Sequence, residues 1–392
     1  MTMNSSIPTL VLAEFFLPQV GGSINWLVST YRRYPQGEVV VVAPKCEEGK
    51  KADCLLPFPV ERLPVGFSGM DPTEPASLYR YIQTFRYVRK ICRRYHIKQI
   101  HCAKVLPEGL IALCIRNIFS IPYIVYAHGE EIQVGRTSRT LSWLMPKVYN
   151  GASAIIANSR NTRVLLERIG VRSGTIRVIH PGVDPALVES RKDLGRRIRD
   201  QHQLGQSPVL LIVGRLQRRK GQDMLIKALP VIQKSFPETK CLIVGRGKEE
   251  ASLKHLAQEV GVAKSVIFTG LVGNRELLEY YAACDLFVMP NRQIGEDIEG
   301  FGIVYLEAAA MGKAVIGGKS GGTGDAIVEG VTGLRVDGAK VEDISSAVIS
   351  LLADPEKAKA MGENGRRRVE KEFSWDSVFQ QTRLLASTIH KG

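Results

Sequence analysis

Two doubly wound α/β domains in series are what this chain predicts, and three observations carry that expectation. Short β-branched runs alternate with longer amphipathic runs, the pattern of parallel strands buried between layers of helix. The rhythm runs through the first half, lapses over residues 184–207, which are rich in charge and poor in apolar periodicity, and restarts at residue 209. A length of 392 residues suits two domains, each large enough to bury its own core.

In the first half the β-branched runs place strands at 9–15, 39–43, 97–102, 123–127, 153–157 and 176–179. Between them the apolar periodicity predicts helices over 23–34, 77–95, 107–119, 139–150 and 160–169. The second half repeats the pattern with strands at 209–213, 241–244, 266–269, 286–289, 314–316 and 334–336. Residues 1–190 therefore form a first domain and 205–372 a second, with a hinge within 184–207. A last helix, within 373–392, follows the basic run Arg366-Arg367-Arg368 and is expected to cross back to the first domain. In open parallel sheets ligands bind beyond the carboxyl ends of the strands, so two such domains facing one another are expected to leave a cleft.

A hydrophobic fraction of 44% with 23% charged residues is that of a soluble globular protein. The longest apolar strings have strand length, far short of the ~20 residues of a spanning helix. No basic residue precedes the apolar run at Leu10-Val11-Leu12, which argues against a signal peptide and for a cytoplasmic protein. Seven cysteines show no CxxC pair and no zinc-like spacing, so no metal site is expected and most read as small core residues. Residues 1–192 hold 25 Lys and Arg against 14 Asp and Glu, leaving only a small excess of the net +14 to the rest of the chain. Part of that surplus lies in residues 79–95, where Arg80, Arg86, Arg89, Lys90, Arg93 and Arg94 interleave with aromatic and aliphatic residues. The simplest reading is a solvated helix that packs its Tyr and Ile face inward; an anionic membrane surface or nucleic acid is the alternative partner.

The densest functional signal is the segment 299–307. Gly300 and Gly302 let the backbone approach a ligand closely, and a helix starting near Gly302 aims its free N–H groups at an anion. Glu299 precedes that helix and Glu307 lies inside it; if helical throughout, the span separates them by roughly 12 Å and about 80°. That exceeds the ~5–9.5 Å of a glycosidase carboxyl pair and suits a long ligand gripped at two points. After the strand at 209–213, Arg215 and Lys220 are the candidate cations for a diphosphate, with Arg218 and Arg219 read as solvated loop charges. The paired glycines Gly21 and Gly22 open a helix after the first strand and could bring N–H groups to a phosphate or sugar. His128 lies just past the fourth strand, and the loop Ser320-Gly321-Gly322-Thr323-Gly324-Asp325 could belong to the same anion cradle. Glu296 and Asp297 read as solvated charges. No complete dinucleotide fingerprint and no Gly-Lys-Ser/Thr phosphate loop is present, which counts against nicotinamide and ATP chemistry.

Taken in order, these motifs resemble the retaining glycosyltransferases of family 4, which have the GT-B fold of two facing Rossmann-like domains. The set comprises Pro18-Gln19-Val20-Gly21-Gly22, His128-Gly129-Glu130, Asn158-Ser159, His180-Pro181-Gly182-Val183-Asp184, the GRLxxxKG run at 214–221 and the Glu-x7-Glu pair Glu299 and Glu307. The resemblance implies that Glu307 binds the ribose hydroxyls of a nucleotide-sugar, while Glu299 and the N–H groups of Phe301 and Gly302 contact the donor sugar. It further implies that Arg215 and Lys220 neutralise the diphosphate, that Gly22 approaches it from the other domain, and that His128 touches the sugar near its reacting carbon. The implied reaction is transfer of a hexose with retention to a glycan or lipid-linked acceptor, with no metal and no other cofactor. The segment 299–307 is similar to that of bacterial mannosyltransferases acting on glycolipids, which favours GDP-mannose over UDP-hexoses as donor. Asp325 stands where the family usually has Glu, and Ala314 where it often has Pro. A sugar-nucleotide epimerase of related architecture and a basic nucleic-acid-binding protein are the rival readings; the second leaves the motifs of the second domain unexplained, so no nucleic acid is expected.

Overall fold

The computed structural model describes residues 7–389 apart from 20, 65–66, 68–69, 71, 73, 136–137 and 185–193. Residues 185–193 of the expected hinge, and Val20 of the paired-glycine motif, thus lie outside the described residues. The chain divides into two compact units, one running to Pro181 and taking back the chain from Trp375, the other spanning Gly182–Ser374.

The first unit is a seven-stranded parallel sheet built from β1 (Thr9–Leu12), β2 (Val39–Pro44), β3 (Val60–Leu63), β4 (Gln99–Cys102), β5 (Tyr123–Ala127), β6 (Ala154–Ala157) and β7 (Ile176–Val178). Its order is β3-β2-β1-β4-β5-β6-β7, so the winding reverses between β1 and β4, whose register pairs Thr9 with Gln99 and Leu12 with Cys102. Strands such as Val39–Pro44 are buried on both faces, which is why they read as continuous apolar runs. The first strand ends sooner than the sequence predicts. Beyond Ala13, the N–H of Glu14 leaves the ladder and donates to the buried carboxylate of Glu108 at 2.7 Å. β3 is missing from the sequence reading because it is a half-buried strand with the charged pair Glu61 and Arg62 at its centre. Those charges are satisfied sideways, Arg62 by Asp53 and Pro44 O, and Glu61 by Tyr95 and Arg94. An edge strand protected by charge looks like a loop in one dimension.

The helix Pro75–Arg94 runs as expected with its basic residues mostly outward, but only part of its aromatic and aliphatic side turns inward. Ser77, Thr84, Val88, Ile91 and Cys92 point inward, while Leu78, Tyr79 and Ile82 are exposed along with Arg86, Lys90 and Arg93. Arg89 is drawn over the ring of Phe119 at 5.2 Å, and Arg94 pairs with Glu61 at 3.1 Å. The last helix, Trp375–Thr388, lies against the helix Gly22–Tyr31, with Arg33 bound to Asp376 at 2.5 Å and Tyr34 edge-on to Phe379.

The second unit holds β8 (Val209–Val213), β9 (Lys240–Val244), β10 (Val266–Gly270), β11 (Leu286–Met289), β12 (Ala314–Gly318) and β13 (Gly333–Val336). Their order, β10-β9-β8-β11-β12-β13, again reverses in the middle, between β8 and β11. The charged stretch before β8 is not all linker. The helix Arg196–Gln201 buries Ile198 and packs beside the helix Asn274–Ala283, with Arg197 bound to Glu279. No helix among the described residues is long and apolar enough to cross a membrane.

Candidate active site

The second unit gathers its polar groups where β8 and β11 end. β8 runs into Gly214, and a tight turn at Arg218–Lys220 brings the chain to Gly221, which starts the helix Gln222–Ser235. Gly221 has φ +83°, and a Cβ there would lie 2.3 Å from Pro290 O, so only glycine lets this turn lie against the loop after β11. That second loop, 290–302, ends at Gly302, also left-handed at φ +86°, from which the helix Ile303–Ala310 begins.

Between the two loops lies a chain of alternating charges. Glu299 is buried, and one of its oxygens accepts from both Arg219 Nη1, at 2.7 Å, and Lys220 Nζ. The Arg219 Nε faces Asp297 Oδ1 at 2.9 Å. Burial works to raise the Glu299 carboxyl, but Lys220 and Arg219 outweigh it and hold the group below the ordinary carboxylate range. Lys220 is pushed below the usual lysine range, first by burial and further by Arg219 and Arg215, with Glu299 opposing. Arg215 is exposed, and Gln222 Nε2 donates to its carbonyl at 3.1 Å. The expectation that Arg219 is a solvated charge is therefore corrected: the tight turn points Arg218 outward and Arg219 into the space between the loops, where the half-exposed Asp297 is paired with it.

Glu307 lies one helical stretch further on, where Tyr281 donates to its Oε2 at 2.7 Å. Burial raises its carboxyl, with the Tyr281 hydrogen bond opposing and Asp184 adding. The glycine loop also belongs here: Gly322 N–H donates to Glu299 O at 2.9 Å. Asn291 is a hub the sequence reasoning missed. It is fully buried, its Oδ1 accepts from Tyr305 Oη and Gly318 N, and its Nδ2 donates to Ser320 O. Its one sequence signal is a polar residue directly after a strand-ending proline. Among the described residues, no three His, Cys, Asp or Glu side chains gather as they would around a metal ion.

The first unit carries the remaining residues that the sequence singles out. Gly21 and Gly22 are exposed at the start of the ten-residue helix Gly22–Tyr31. His128 follows β5; its Nε2 lies 2.9 Å from Ala103 O, and since a carbonyl can only accept, Nε2 carries the proton. Glu131 accepts from the His128 N–H at 2.7 Å, Asn158 donates to its carbonyl at 2.9 Å, and Trp26 stands edge-on to its ring. Asn158 and Ser159 thus have structural work: Ser159 caps the helix Arg160–Arg168 by accepting from Thr162 N. Glu108, absent from the sequence reading, is fully buried beside Glu14, with Oε2 lacking a hydrogen-bond partner. Its carboxyl is pushed up to about 8, first by burial and then by Glu14.

Comparison with known proteins agrees with this architecture. The family model for glycosyl transferases group 1 matches residues 196–368, and that for glycosyltransferase family 4 matches residues 20–187. The GDP-mannose-dependent alpha-(1-6)-phosphatidylinositol monomannoside mannosyltransferase of Mycolicibacterium smegmatis is 33% identical over 93% of this chain and 94% of its own. The GDP-mannose-dependent monoacylated alpha-(1-6)-phosphatidylinositol monomannoside mannosyltransferase of Corynebacterium glutamicum is 32% identical over 98% and 99%. Among solved structures, HepE of Anabaena in complex with UDP and glucose superposes with a TM-score of 0.81 at 22% identity, covering 97% of this chain and 99% of its own. Sucrose-phosphate synthase of Thermosynechococcus elongatus gives 0.79 at 22%, covering 98% and 99%. The chain belongs to the group 1 glycosyl transferases of glycosyltransferase family 4 and is a glycosyltransferase of GT-B fold.

Proposed function

We propose that this enzyme transfers mannose from GDP-mannose to a hydroxyl of a lipid-linked acceptor, with retention at the anomeric carbon. The observation that carries the reading is the paired cluster of Lys220, Arg219 and Glu299 at the carboxyl ends of a parallel sheet, in a chain similar from end to end to GDP-mannose-dependent mannosyltransferases. In this reading Lys220 turns from Glu299 to the diphosphate, where Arg215 joins it. Negative charge then grows on the leaving phosphate as the glycosidic bond breaks, and the two cations lower the barrier by meeting it. The same phosphate oxygen takes the acceptor's proton on the face it is leaving, which gives retention. The two side-chain cations stand in for a divalent ion, so no metal is needed. Glu307 accepts from the ribose hydroxyls, and Glu299 with the Gly300, Phe301 and Gly302 backbone faces the sugar.

On the first unit we assign the N–H groups at Gly21 and Gly22 to the diphosphate and His128 to the sugar. The acceptor's lipid anchor implies a membrane surface, and the exposed stripe of Leu78, Tyr79 and Ile82 continued by Arg86, Lys90 and Arg93 suits an anionic one. We accordingly assign the enzyme a peripheral location on the cytoplasmic face of the membrane.

Incubation with GDP-mannose or UDP-glucose and phosphatidylinositol monomannoside tests the reading. Expected is an α-linked mannolipid formed from GDP-mannose at a rate EDTA leaves unchanged. Transfer from UDP-glucose alone would reassign the donor, and an epimerised nucleotide-sugar with no glycosylated lipid would overturn transfer.

A further inference from the structure

Arg219 is buried to 5% exposure and reaches two carboxylates about eighty positions away in sequence. Its Nη1 donates to Glu299 and its Nε faces Asp297, so one planar guanidinium spans both. The backbone is fastened as well. Arg292 N–H donates to the Arg219 carbonyl at 2.8 Å, and the Arg292 guanidinium grips both oxygens of Asp223, at 3.0 and 2.6 Å. Each loop therefore sends an arginine across to the other: Arg219 into 290–302, and Arg292 to the helix that follows 214–221. Asp297 is held in a closed turn by its two backbone hydrogen bonds with Ile294, both 3.0 Å.

Charge counting gives the arrangement a purpose. With Lys220 in place, Asp297 and Glu299 are balanced by Arg219 and Lys220. A diphosphate that draws Lys220 away removes one of the two cations bound to Glu299, and a buried carboxylate without a cation is costly. Arg219 remains, and an arginine keeps its charge whatever its burial.

We propose that Arg219 is a positioning residue that fixes the Glu299 carboxylate toward the donor sugar and keeps it charge-balanced once Lys220 turns to the diphosphate, with Asp297 aiming the guanidinium. This inference rests on the donor site given under Proposed function. It separates two parts of the donor: the nucleoside diphosphate does not need Glu299, whereas the sugar does.

The test compares GDP with GDP-mannose, and UDP with UDP-glucose, on wild type, Arg219→Met, Arg219→Lys, Asp297→Asn and Arg292→Lys. Arg219→Met is expected to bind GDP within about threefold of wild type while kcat for transfer falls about 10–100-fold, the range seen when the support of a ligand-contacting group is removed. Arg219→Lys recovers part of the loss, and Asp297→Asn, at a half-exposed carboxylate, shows the same split more weakly. Arg292→Lys loosens the loop without touching Glu299, so it weakens GDP and GDP-mannose alike. Transfer by Arg219→Met within about threefold of wild type would overturn the inference, as would parallel loss of GDP and GDP-mannose binding. Should Arg219→Met fail to fold, Asp297→Asn carries the test, and an unsplit result there is equally fatal. A wild-type protein that binds neither nucleotide pair would instead sink the donor site, and the inference with it.

Discussion

Each unit buries a glutamate at the carboxyl end of its sheet, and the two behave in opposite ways. Glu299 in the second unit shares one oxygen between Arg219 and Lys220 and is held ionised. Glu108 in the first accepts one backbone N–H, from Glu14, has Oε2 without a hydrogen-bond partner, and keeps its proton into the neutral range. The difference lies in the neighbours: two cations bonded directly to Glu299, against a second carboxylate, Glu14, beside Glu108 with Lys104 acting only weakly. A buried carboxyl is thus an anion or an acid according to what the topology brings beside it. The same contrast holds for cations. Arg219 and Lys220 in the second unit are enclosed and paired with defined carboxylates; the cations of the helix Pro75–Arg94 are mostly exposed and act as a field that salt screens.

The largest effects are expected where the buried pairing is broken. Lys220→Ala and Glu299→Gln should each lower transfer by about 10²–10³-fold or more, as read from initial rates with saturating acceptor. Glu299→Ala also leaves the buried Lys220 without a counter-charge and Arg219 with Asp297 alone, a loss of about 3–5 kcal/mol that should appear in the unfolding of the second unit. An unchanged melting transition in Glu299→Ala would break the contrast drawn between the two glutamates.

pH sharpens it. The Glu108 carboxyl is raised from 4.5 to about 8, so between those values the folded state holds a proton that the unfolded state has lost. Its stabilisation is present at low pH and fades as pH rises through that window. Glu299, lowered, contributes above the ordinary carboxylate range and loses its contribution as pH falls below it. Replacing Glu108 by Gln should therefore stabilise the protein relative to wild type by an amount that grows between pH 5 and pH 8, on the order of a few kcal/mol. Denaturant titrations at the two pH values check this, and parallel curves for the two proteins would show that Glu108 ionises normally.

A smaller effect is expected at Glu307, which Tyr281 already orients. Glu307→Gln should raise the donor KM by about 10–100-fold with kcat little changed, the signature of lost uniform binding through charged hydrogen bonds. A fall in kcat at constant KM would move Glu307 from nucleotide binding to chemistry. The smallest effects belong to the exposed field. Replacing Arg86, Lys90 or Arg93 singly by Gln should weaken sedimentation with anionic vesicles by about fivefold each, given ~1 kcal/mol per basic residue near such a surface. Binding that ignores both the substitutions and added salt would remove the helix from the membrane account.

Much of the fold was legible because parallel strands buried on both faces announce themselves. The restart at Val209 and every later strand through Gly333–Val336 follow from β-branched runs alone. Val60–Leu63 escaped because its charges are satisfied by side chains from other elements, and the first strand was read too long because a side chain, Glu108, takes over from the ladder at Glu14. At the site, Glu299, Lys220 and Glu307 were visible through glycines and spacing. Arg219 was not, since nothing in the run Arg218-Arg219-Lys220 says which arginine a tight turn will point inward. Asn291 and Tyr281 were hidden for a related reason: their roles come from partners 14 to 32 positions away.

Calorimetric titration of GDP-mannose into wild type and into Lys220→Ala tests most directly that a nucleotide-sugar is held by the paired charges of the second unit. Expected is saturable binding by wild type, weakened by about tenfold or more in the variant, the loss of one charge-assisted hydrogen bond of about 1.5–3 kcal/mol. Equal affinity of the two proteins, or no heat from wild type with GDP-mannose or UDP-glucose, would contradict it.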